Sequence, residues 1–205
     1  MSRHHNRKWD NIITYTEEGK VKIHSDYNQW SAMRKRCFLE GRDGYDKKYY
    51  GDCYCSESFK NFDKYLEWAK EQVGFLCRDE KGKLWQLDKD FLFKGNKLYS
   101  EETCVFIPQR LNKFITLRQR NRGDFPLGVV YNPQMREGNR YQVSGCFKEL
   151  GLPKRLGSFP TPEIAFETYK WAKEKLAKQL ANQYKGAVDE RVVDMLNNFT
   201  INIYD

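Results

Sequence analysis

Four side chains between residues 87 and 112 carry hard oxygen donors: Asp88, Asp90, Asn96 and Asn112. Asp88 and Asp90 flank Lys89 at the end of an apolar run, 84–87. A polar loop with Gly95 and Asn96 follows, then a second strand-like run, 104–107. Pro108 stands where a helix would begin, with Asn112 one turn further in. A strand, a loop, a strand and a helix in that order would bring the two acids and the two amides towards one point. Carboxylate and amide oxygens converging there suit Mg²⁺ or Mn²⁺. Lys97 and Tyr99, just past the loop, stand within reach of a phosphate or simply flank a turn.

The elements that must hold this stretch lie upstream. A short basic lead-in, 1–25, contains one strand-like piece over 12–15 and a Glu18-Gly19 turn. Ser25-Asp26 caps a helix whose apolar positions, Trp30, Met33 and Cys37, are spaced three and four. Residues 40–55, rich in Gly and Tyr, read as loop. A stronger helix is expected over 57–73. There Phe59, Phe62, Leu66, Ala69 and Val73 repeat at helical spacing, and Gly74 closes the helix.

The layout resembles the HNH (ββα-metal) homing endonucleases, and in particular phage-borne members. The carrying residues are Trp30-Ser31-Ala32-Met33-Arg34-Lys35-Arg36-Cys37, Tyr50-Gly51-Asp52-Cys53, the 62–68 helix segment and Asp88-Lys89-Asp90. The resemblance spans about residues 25–115. It implies a catalytic set of Asp88, Lys89, Asp90, Asn96 and Asn112, and a divalent ion held by Asp88 or Asp90 with Asn112. Hydrolysis of a DNA phosphodiester is the implied reaction. The family usually places a histidine base directly after the first acid. Here Lys89 takes that position, as it does in other members. A solvated lysine is protonated and cannot deprotonate water. Lys89 is therefore expected to stabilise phosphoryl charge, or to act as base only if its pKa is strongly lowered; the substrate phosphate or Asp90 is the other route to activating the water.

The formal net charge is +8. Over residues 113–155, nine Lys and Arg stand against three Asp and Glu. Such an excess favours a polyanionic partner. The stretch 117–124, carrying Arg118, Arg120 and Arg122, reads as a basic linker, either lying on DNA phosphates or a solvated tether.

After the linker the pattern turns to strands over 128–131, 140–148 and 154–159. In the middle one, Tyr141, Val143, Gly145 and Phe147 fall on one face. Arg140, Gln142, Ser144, Cys146 and Lys148 fall on the other. Thr161-Pro162-Glu163 then opens a helix with the apolar stripe Ala165, Tyr169, Ala172, Leu176 and Leu180. A last helix is expected over 189–199 and an edge strand over 200–204. This unit is similar to the ethylene-response-factor-type DNA-binding domain. The carrying residues are Gly128-Val129, the run from Leu156 through Pro160 to Glu163, and the segment from Ala165 to Ala172. The resemblance implies that the sheet face with Arg140, Gln142, Ser144 and Lys148 enters the major groove of double-stranded DNA. Lys154 and Arg155 are expected to hold phosphates.

The expected fold class is α+β: an HNH-like ββα-metal module over 26–116, the linker, and over 125–205 a three-stranded antiparallel sheet packed on a helix, with a C-terminal helix. No apolar run is long enough to cross a membrane, and the N-terminus lacks the apolar stretch of a secretory signal. Cytoplasmic location, in the host cell for a phage protein, follows. Structural zinc through Cys37, Cys53, Cys55 and Cys104 competes with idle thiols, the Cys-x-Cys spacing being unusual for zinc. His24 is weighed as a replacement base. Two rival functions remain: a DNA-binding protein without cleavage, and a phage protein acting on a host enzyme.

Overall fold

A computed structural model describes residues 14–18, 20–37, 52–115 and 125–205. The chain is mixed α/β, with small sheets of two or three strands. It divides into two units, Met1–Asn112 and Lys113–Asp205. No helix among the described residues is long and apolar enough to cross a membrane.

The first unit opens with an antiparallel hairpin of β1 (Thr14–Glu17) and β2 (Lys20–Ile23). Helix α1 runs over Ser25–Cys37. The short strand β3 (Tyr54–Cys55) pairs in parallel with β5 (Leu98–Tyr99). Helix α2 covers only Phe62–Lys70, not 57–73. Its start is set by Asn61, whose side chain accepts the N–H of Lys64. The residues before it form turns held by Ser56 and Ser58, both bonded to Glu101. The apolar stripe is therefore phased from Phe62: Tyr65 and Ala69 are fully buried, and Val73 is half exposed. Gly74 closes no helix. It has φ +92°, and a Cβ there would lie 2.4 Å from the Trp85 ring, so the position needs glycine on both counts.

Strands β4 (Gln86–Asp88) and β6 (Val105–Ile107) pair antiparallel, with Leu87 opposite Phe106 and Asp88 opposite Val105. Helix α3 (Gln109–Ile115) follows directly after Pro108. The core beneath these elements is aromatic. Phe59, Tyr65 and Phe106 are inaccessible to solvent, and Trp68 packs on all three with its ring tilted to each. Trp30 of α1 joins them by donating its indole N–H to the Phe59 carbonyl at 2.8 Å. Rings of this size dominate the energetics of the core they fill.

The second unit is built on an antiparallel sheet of β7 (Val129–Tyr131), β8 (Tyr141–Ser144) and β9 (Arg155–Phe159), with β8 central. Helix α4 (Pro162–Tyr184) begins as its cap residues dictate: the Thr161 hydroxyl accepts the Ile164 N–H and Pro162 occupies the first turn. The stripe Ala165, Tyr169, Ala172, Leu176 and Leu180 is buried. Ala177 and Ala181 are buried as well, because α5 (Glu190–Asn197) covers a second side of α4 with Val192 and Leu196. Gly128, at φ +76°, gives room to the Tyr169 ring, which a Cβ would meet at 2.0 Å.

Two expectations fail here. The middle strand stops at Ser144, where a register shift between Val143 and Ser144 breaks the alternation. Lys148 consequently sits in a 3₁₀ turn, Lys148–Leu150, and not on the sheet. Residues 200–204 form no strand. Asn202 and Asp205 bond to each other and tie the end into a turn, with Ile201 buried beneath it.

Candidate metal and phosphate site

A cleft in the first unit has a volume of about 570 Å³ and is lined by Asp88, Lys89, Asp90 and Asn112 together. Its opposite wall is one face of α1: Ser25, Asn28, Gln29, Ala32, Met33 and Arg36, spaced as successive helical turns. Cys53, Trp85 and Tyr99 complete it.

Asp88 ends β4 and is almost wholly buried. Its Oδ1 accepts the N–H groups of Asp90 at 3.0 Å and Phe91 at 2.8 Å, which turns the chain sharply out of the strand. Burial, then the carboxyl of Asp90 as hydrogen-bond partner and charge, push the Asp88 carboxyl up to about 7. The two backbone N–H bonds pull the other way and are outweighed. Two acids crowded in a partly dry cleft are an unfavourable pair unless a cation joins them.

Lys89 is the nearest cation. Its ammonium lies 3.4 Å from Asp90 Oδ2 and 5.6 Å from the centre of the Tyr99 ring, and its side chain is only 11% exposed. Arg36 is the second. Its guanidinium donates to the Tyr99 hydroxyl at 3.1 Å. Burial acts against the Arg36 charge, but Tyr99 and Asp88 outweigh it and raise its pKa. The Tyr99 hydroxyl is pushed up to about 12 by burial, with Arg36 opposing. It therefore stays protonated and serves as a positioning group.

Asn112, on α3, reaches the cleft and donates to Gln86 Oε1 at 2.9 Å. Asn96 does not line the cleft. Its amide donates to the carbonyls of Lys89 and Leu98, and its Oδ1 accepts the Leu98 N–H. It pins both ends of the loop that presents Lys89 and Asp90. Lys97 is held at the surface by Asp52, at 2.9 Å.

The donor set suits a hard divalent ion: two carboxylates and an amide on one cleft, with Gln29 Oε1 a buried acceptor lacking a hydrogen-bond partner. Among the described residues no three His, Cys, Asp or Glu side chains gather as a group. Cys37 and Cys104, two of the four thiols considered for zinc, are each pushed up to about 12, mainly by burial. His24 lies in a separate depression beside Ser25, Asp26 and Leu76, not in the cleft.

Arg36 and Gln29 were not singled out as site residues in the sequence. The available signal was the helical recurrence of 25, 28, 29, 32, 33 and 36, which places them on one face of α1.

In the second unit, cross-strand register puts Val130, Gln142 and Ser158 in one row on the face away from α4. Val129 and Val143 face α4 and are buried. Gln142 donates to Ser158 Oγ at 3.4 Å. Ser144 pairs with Arg155 across the shift, and Lys154 and Arg155 are exposed. Arg140 is half buried, and its Nε has no partner. Lys148 is exposed on its 3₁₀ turn. Arg118, Arg120 and Arg122 lie outside the described residues. The chain matches no family model, no curated protein and no solved structure.

Proposed function

We propose that the chain is a metal-dependent DNA endonuclease of the HNH homing type, directed to its sites by the sheet face of its second unit. The observation that carries this reading is the cleft lined at once by Asp88, Lys89, Asp90, Asn112 and Arg36. It combines oxygen donors for Mg²⁺ or Mn²⁺ with two cations for a phosphate. The order β4, loop, β6, α3 supports the ββα-metal assignment. The three strands packed on α4 support the ethylene-response-factor-type assignment. A phage origin and a host-cytoplasmic site of action belong to the same reading.

A divalent ion bound there would stabilise the charge that develops on the scissile phosphate and the leaving oxygen. Asp88 and Asp90 supply its carboxylates, and Asn112 an amide from α3. Arg36 and Lys89 face the phosphate from two walls and offset its charge. Asn96 keeps the loop in register. Cleavage of plasmid DNA that needs Mg²⁺ and is lost in both Asp88→Ala and Asn112→Ala would support this assignment. Wild-type nicking by both variants would sink it.

A second reading, DNA binding without cleavage, is favoured by the Lys89–Asp90 ion pair. It fills the usual base position with an ion-paired lysine, and no described histidine lines the cleft. A mobility shift on DNA with no cleavage in Mg²⁺ would establish it. Absence of DNA affinity at low salt would leave action on a host protein.

A further inference from the structure

The sheet face of the second unit carries a feature that basic residues do not explain. Val130 is 53% exposed in the centre of β7, in a cross-strand row with two polar residues. It stands directly opposite Gln142 on β8, and Gln142 stands opposite Ser158 on β9. The other face, with Val129 and Val143, is closed by α4, so this row is fixed by the pleat and cannot rotate inward.

Directly paired residues have Cβ atoms about 5 Å apart. Three strands span roughly 10 Å, which fits a major groove about 12 Å wide. An amide can bond both N7 and N6 of adenine, and an apolar side chain can pack on the thymine methyl. Those groups mark an A·T pair and no other on the major-groove edge. Lys154 and Arg155, exposed at the start of β9, supply charge for the flanking phosphates.

We infer that Gln142 and Val130 together read an A·T base pair, Gln142 on the adenine and Val130 on the thymine methyl of that pair or the next. The inference rests on the DNA-directed reading above and adds the base that the sheet selects. It assigns Val130, an apolar residue, to specificity and not to packing.

The test uses the full-length chain. Double-stranded DNA selected from a random pool gives the preferred site. Binding is then measured on duplexes in which one thymine is replaced by deoxyuridine, or one adenine by 7-deazaadenine. Loss of one methyl contact is expected to weaken wild-type binding about fourfold, taking a buried methyl-sized group at about 0.8 kcal/mol. Loss of the N7 acceptor is expected to weaken it about fivefold or more. Val130→Ala should be indifferent to deoxyuridine yet still sense 7-deazaadenine, and Gln142→Ala should show the reverse. Val130→Thr keeps β-branching and one methyl, and controls for strand stability. Selected sites without an A·T pair, or selective binding indifferent to both analogues, overturn the inference while leaving DNA binding intact. No DNA binding at low salt overturns the DNA-directed reading and the inference with it.

Discussion

The ammonium of Lys89 lies 3.4 Å from a carboxylate oxygen of Asp90, and the two adjacent residues form an ion pair inside the cleft. The pair links the cation expected to face phosphate to a carboxylate expected to hold a metal. Asp90 would thus share its charge between Lys89 and a divalent ion, were one held there.

The role of Lys89 separates by substitution. If it acts through charge, Lys89→Arg retains activity and Lys89→Ala loses at least about tenfold in rate. Lys89→His should raise cleavage at pH 7 to 8 by restoring a base of suitable pKa. Rates on a plasmid substrate across pH decide between these outcomes. A dead Lys89→Arg beside an active Lys89→His would show proton transfer, not charge.

Asp88 makes the fold pH-sensitive. Its carboxyl is raised from 3.8 to about 7, so the folded chain holds a proton that the unfolded chain has lost between those values. Stability from this group therefore falls as pH rises from about 4 to about 7. Asp88→Asn keeps the Oδ1 acceptor for Asp90 and Phe91 and removes the charge. It should be more stable than wild type at pH 8, by on the order of 1–3 kcal/mol, and nearly equal at pH 4. Urea unfolding at the two pH values checks this. Equal stability at both would remove the crowded-carboxylate account. The same variant should lose Mg²⁺ affinity, which in wild type should strengthen as pH rises through 7.

Tyr65 is fully buried and its hydroxyl has no hydrogen-bond partner. Tyr65→Phe removes an unsatisfied polar group without opening a cavity. A gain of about 1 kcal/mol is expected in denaturant unfolding. Destabilisation would mean the hydroxyl is satisfied in solution.

Asn96→Ala removes three hydrogen bonds across the loop that carries Lys89 and Asp90. The Leu98 carbonyl keeps the Thr103 hydroxyl as a donor, but leaving the Lys89 carbonyl and the Leu98 N–H without Asn96 should cost about 1–3 kcal/mol in thermal or urea unfolding. Cleavage should fall while affinity for DNA through the second unit persists. Unchanged stability would show that the loop is held elsewhere.

Lys154 and Arg155 should act on all sequences alike. Lys154→Ala and Arg155→Ala should each reduce the slope of log affinity against log salt by about 1. Mobility shifts at several salt concentrations measure the slope. An unchanged slope would take both residues off the phosphates.

Much of the site was legible because local rules dictate it. Asp88, Asp90 and Asn112 were readable from an apolar run that ends in acids and from Pro108 opening α3. The Thr161 cap and the α4 stripe were readable for the same reason. Arg36 and Gln29 were harder, because their place depends on α1 crossing to β4, a contact that helical periodicity alone does not specify. Lys148 was misplaced because the register shift at Val143–Ser144 leaves no mark in an alternating pattern. The length of α2 was overstated because Phe59 is buried from a turn and Val73 is exposed, and both mimic a helical stripe. Tyr65, fully buried like Ala69, was hidden by its polar hydroxyl.

The most direct measurement is the fate of supercoiled plasmid incubated with the full-length chain and Mg²⁺, with EDTA as control. Nicked or linear DNA that forms with Mg²⁺, is abolished by EDTA and is absent with Asp88→Ala is the result expected of a metal-dependent nuclease cleft. Plasmid that stays supercoiled in Mg²⁺ and in Mn²⁺, while the chain retards it on a gel, would contradict cleavage and leave a protein that only binds DNA.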